Sequence, residues 1–108
     1  MNYTWKILRL GLKDQLNQDG QLLENAVVNV KWRRIGEDTD GSRASYVGNT
    51  SFSAASVSAA DFTNLNDLTN TQVITWLETA LEGDLARIDS QISRRIEKNR
   101  VQNIKPNW

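Results

Sequence analysis

The sequence contains no cysteine and no histidine, and its one proline is Pro106. Structural zinc of the usual kind, haem ligation, thiol catalysis and imidazole acid–base chemistry are therefore excluded, and no disulfide can form. Neither sign of charge is in excess. Thirteen Lys and Arg stand against thirteen Asp and Glu, so no overall field draws the chain to nucleic acid or to an anionic membrane. No apolar run comes near the roughly 20 residues needed to span a bilayer, and Met1-Asn2-Tyr3-Thr4-Trp5-Lys6 has no signal-peptide core. The expectation is a soluble protein made in the cytosol.

What the chain does hold suits one folded domain. It has 108 residues, 39% of them hydrophobic, with four Trp. The organising stretch is Thr69 to Ile96. Thr69-Asn70-Thr71-Gln72 has the form of a capping box, in which Thr69 and Gln72 each satisfy an orphan amide. Val73, Trp76, Leu77, Ala80 and Leu81 then fall on one helical face. Gly83 is suited to stop that helix in the left-handed conformation and Asp84 to cap the next, along which Leu85, Ile88, Ile92 and Ile96 recur. The helical region is 69–100, and Pro106 bars helix in the tail, 101–108.

Ahead of the helices, residues 1–53 read as strands. Tyr3, Trp5 and Ile7 alternate with polar residues, but Leu8, Leu10 and Leu12 lie on the other parity, so a first strand over Tyr3–Leu12 needs a bulge near Ile7-Leu8 or burial on both faces. Lys13 to Gln21 is polar and reads as a long connection with Leu16 turned toward the core. A second strand over Glu24–Ile35 places Ala26, Val28, Val30 and Trp32 on one face, as a central strand with one side covered would. The loop 36–41 leads to a third strand, Ser42–Ser53, in which Gly48 marks a kink or a close approach of backbone. Residues 54–68 connect sheet to helices, with Phe62, Leu65 and Leu68 as anchors. The expected fold class is α+β: a three-stranded antiparallel meander covered by two C-terminal helices, with an extended C-terminal tail.

Reactive chemistry is hard to assemble from these residues. Glu37, Asp38 and Asp40 share a loop but lack calcium-loop spacing. Glu78 and Glu82 read as surface carboxylates with no reason to titrate unusually. The serines have no histidine to serve as base, and no phosphate-binding loop or nucleophile elbow is present. An enzyme is not expected, nor a cofactor, a metal or a small-molecule substrate. Trp5, Trp32 and Trp76 read as core.

Charge is unevenly placed. Residues 61–93 hold six acids against Arg87, whereas 94–108 hold Arg94, Arg95, Lys98, Arg100 and Lys105 against Glu97. Acids share the second helix, so its basic end reads as a solvated face and nucleic acid is not the expected partner. The apolar stripe of that helix is thin, which suits docking on its own domain or on a neighbour. Ile92, Arg94, Arg95, Ile96, Lys98, Pro106 and Trp108 are the candidate partner-binding residues.

The opening Tyr3-Thr4-Trp5-Lys6-Ile7, the middle segments Asp61-Phe62-Thr63, Leu68-Thr69 and Gln72-Val73-Ile74-Thr75-Trp76-Leu77, and the closing Pro106-Asn107-Trp108 together resemble a family of small proteins of tailed bacteriophages. The resemblance spans nearly the whole chain. Two departures are a longer stretch around Lys13 to Leu23 and more basic residues before Pro106. It implies a virion component, synthesised in the host cytoplasm. The expectation is an accessory structural protein on head or tail, with other virion proteins and copies of itself as partners. The alternative is a non-virion phage protein that binds a host factor or nucleic acid during infection.

Overall fold

The computed structural model describes residues 1–99, 106 and 107. It is an α+β fold: strands β1 (Asn2–Leu16), β2 (Leu22–Glu37) and β3 (Arg43–Ser51), a short 3-10 turn (Leu65–Asp67), then helices α1 (Asn70–Ala80) and α2 (Leu85–Asn99). The strands form one antiparallel sheet in the order β1-β2-β3, so β2 is central as its alternation requires. The extended tail expected over 101–108 lies outside the described residues except for Pro106 and Asn107, both exposed.

The phase slip in β1 is a bulge. Ile7 pairs with Trp32 and Arg9 with Lys31, leaving Leu8 as the extra residue. Two more register shifts follow, between Gly11 and Leu12 and between Lys13 and Gln15, and each places an extra residue on β2. The first exchanges the parity of β2, so Val27 rather than the expected Val28 packs against the main core. At the second, Asn25 takes a positive φ of 53° and its N–H donates to Asp14 Oδ1 at 2.9 Å.

The long connection expected over Lys13–Gln21 is instead strand followed by a tight turn. Asn17 is the reason. It is buried, its Oδ1 accepts from the N–H groups of Asp19 (3.0 Å) and Gln21 (2.9 Å), and its Nδ2 donates to the carbonyl of Val57 (3.0 Å). One side chain thus closes the turn and ties it to the connecting segment, which lets β1 run on to Leu16. Leu16 does not tuck toward the core; it is 60% exposed.

The helices cover one face of the sheet, with α1 over β1 and α2 over β2 and β3. The main core joins Val30 and Trp32 of β2, Val73 and Leu77 of α1, and Ile88, Ile92 and Ile96 of α2. A smaller core of Leu23, Ala26 and Ala54, flanked by Val57 and Phe62, lies near the β1–β2 turn. Leu68 packs on the main core, whereas Leu65 is exposed and is no anchor. The capping box of α1 is complete: Thr69 Oγ1 accepts from the Gln72 N–H at 3.2 Å, and the Thr69 N–H donates to Gln72 Oε1 at 3.0 Å. Gly83 does not act as the expected left-handed stop, because its φ is not positive. The reversal instead uses the Leu81 carbonyl, which accepts from the N–H groups of Asp84 (2.7 Å) and Leu85 (2.9 Å).

Candidate docking surfaces

Two glycines let the covering layer come close. A Cβ on Gly36 would collide with Ile92 of α2, and one on Gly48 would collide with the Trp32 ring lying across it. Gly48 is thus a close approach, one of the two readings its position allowed. Trp32 sits opposite Gly48 in the register, packs edge-on against Trp5 (5.3 Å between centroids) and stacks on Tyr46 (5.8 Å). Its indole N–H donates to Thr50 Oγ1 at 2.9 Å.

Charges on this covered face are paired. Arg34 reaches Asp89 of α2 through Nε–Oδ1 (3.0 Å) and Nη2–Oδ2 (3.3 Å), while its guanidinium lies over Trp5 (4.6 Å) and Tyr3 (5.2 Å). Burial, and secondarily the Asp89 carboxylate, raise the pKa of Tyr3 above its ordinary value. Arg95 lies over the Tyr46 ring at 5.3 Å and donates to the Ser45 carbonyl.

These contacts redistribute the residues expected to bind a partner. Ile92 and Ile96 are 0% exposed and belong to the chain's own core, so the reading of them as partner contacts is corrected: the sheet is what α2 covers. Arg95 is already engaged within the domain. Arg94 and Lys98 are exposed on α2, as is Pro106 beyond it, and Trp108 lies outside the described residues. An apolar cleft of about 460 Å³ lies beside α1, walled by Val27, Phe52, Val57, Phe62 and Trp76.

Two surfaces escaped the sequence reading, the second of them on the opposite face of the sheet, where no helix lies among the described residues. At the β1–β2 turn, Leu16 and Leu22 are direct cross-strand partners, 60% and 55% exposed, with Leu12 nearby at 39%. Leu23 turns into the small core, so Leu22 faces outward. Mid-sheet, Lys6 stands opposite Arg33 and Arg9 opposite Lys31, with Arg43 on the adjoining strand. Only the sheet register brings them together; in the sequence they are scattered single charges.

No helix among the described residues is long and apolar enough to cross a membrane. A family model described as a domain of unknown function (DUF7936) matches residues 1–108, and the chain belongs to that family. Neither a curated protein nor a solved structure matches the chain.

Proposed function

We propose that this member of the family is an accessory structural protein of a tailed-phage virion, a small non-enzymatic module that docks on head or tail through contact surfaces. The family resemblance carried by the Tyr3–Ile7, Asp61–Leu77 and Pro106–Trp108 segments supports the virion setting. The observation that supports docking is the Leu16–Leu22 pair at the end of β1, a 15-residue strand at the sheet edge. Exposed apolar pairs beside an unpaired strand edge are where another chain gains both burial and main-chain hydrogen bonds. Arg94 and Lys98 on the outward side of α2, with the Pro106–Trp108 segment, are further contacts to other virion proteins or to copies of this chain.

Mass spectrometry of purified particles tests this reading. The protein is expected in stoichiometric copies, and Leu16→Ser/Leu22→Ser is expected to reduce its incorporation while leaving the isolated protein folded. Absence of the wild-type protein from finished particles overturns the virion assignment.

A further inference from the structure

We infer that the uncovered face of the sheet binds the phosphate backbone of duplex nucleic acid, independently of the virion reading. The paired stretches 2–11, 29–37 and 43–51 place Lys6, Arg9, Lys31, Arg33 and Arg43 on this face. They place one acid there, Glu37, which lies 3.7 Å from Arg43 and is thereby engaged. Lys6, Arg9, Lys31 and Arg33 have no salt bridge among the described residues.

The arrangement costs the isolated fold something. Like charges directly opposite one another in an antiparallel pair repel, and here two adjacent rungs, Lys6–Arg33 and Arg9–Lys31, do so together. Neighbouring strands are about 4.8 Å apart and same-face residues about 6.7 Å apart, so four cationic side chains spring from one small patch. Arg33 adds a second sign of an absent anion: its Nε is shielded from solvent and has no hydrogen-bond partner. Lys6, Arg33, Ile35 and Arg43 border a shallow hollow at this place. A multiply charged oxyanion seated across the rungs satisfies the donor and removes the repulsion.

The choice of a duplex follows from what accompanies the charges. Protein interfaces are built around aromatic anchors and are poor in lysine. Here Tyr3, Trp5, Trp32, Tyr46 and Phe52 all pack toward the helices, and the open face offers Ile35, Val47 and Asn49 between its cations. Among the described residues no ring faces outward there, so this face as described has no stacking platform of the kind that single strands use. A flat, dense field of cations without aromatics is suited to regularly spaced phosphates, bound without regard to sequence. The leucine pair is seven positions beyond Arg9 on β1, about 20 Å away, so the two surfaces need not compete.

Fluorescence anisotropy of the full chain with short duplex DNA, duplex RNA, single-stranded DNA and polyglutamate tests the inference. Duplexes are expected to bind regardless of sequence, with log K falling against log salt at a slope of roughly −3 to −4 for four neutralised phosphates. Comparing the two duplexes distinguishes DNA from RNA as the source of the backbone. Arg33→Gln is expected to lower the slope by about 1 for every sequence. Arg87→Gln, on the helix side, removes one charge and is expected to change nothing. The quadruple variant Lys6→Gln/Arg9→Gln/Lys31→Gln/Arg33→Gln is expected to lose binding while melting no lower than wild type; should it fail to fold, the slopes of Arg33→Gln and Arg9→Gln decide. The inference is overturned by absence of duplex binding at low salt or by equal loss in Arg87→Gln. Tighter binding of single strands or of polyglutamate overturns it as well.

Discussion

The two faces of the sheet are built from the same strands and follow opposite rules. On the helix side the cations that lie against the sheet have partners: Arg34 has Asp89 and two aromatic rings, and Arg95 has Tyr46 and the Ser45 carbonyl. On the open side Lys6 faces Arg33 and Arg9 faces Lys31. A surface under no demand but stability would scatter opposite charges across those rungs. The difference separates a face whose contacts hold the fold together from one on which like charges stand opposite one another across the strands.

Substitutions break or sharpen this contrast in a definite order. Ile92→Ala, in the fully buried middle of the helix side, is expected to cost about 3 kcal/mol by urea unfolding, from lost burial plus the cavity left above Gly36. Asp89→Ala comes next. It leaves Arg34 without its carboxylate in a partly buried site and is expected to cost about 2 kcal/mol. A double-mutant cycle with Arg34→Ala should recover part of that loss, because the second truncation removes the stranded charge. The smallest effect has the opposite sign. Arg9→Glu replaces a repulsive rung with an attractive one and is expected to raise stability by about 0.5 kcal/mol. If Arg9→Glu destabilised the fold as a helix-side change does, the contrast between the faces would fail.

Much of the fold was legible because its signals are local. The Thr69–Gln72 capping box, the Val73–Leu77 face, the Ile88–Ile92–Ile96 stripe and the Leu8 phase slip each lie within a few residues. The β1–β2 turn was not. Asp19-Gly20 suggested a turn within a long loop, but the burial of Asn17 depends on the carbonyl of Val57, forty positions away. Val27 entered the core in place of Val28 for a similar reason, since its facing depends on the register shift beside Gly11. The candidate site was the least legible part. The basic end of α2 stands out in the sequence because its charges are adjacent, whereas the cations of the open face are spread over three strands.

By itself the sequence determined the class of fold and its order of strands and helices, because side-chain periodicity and residue type act at short range. The tertiary structure alone decided that Ile92 and Ile96 are core, that Leu16 and Leu22 are surface, and that four cations meet on one open face. The first rests on the docking of α2 against the sheet; the other two rest on strand register, and a bulge of one residue is enough to move a side chain from one side of a sheet to the other.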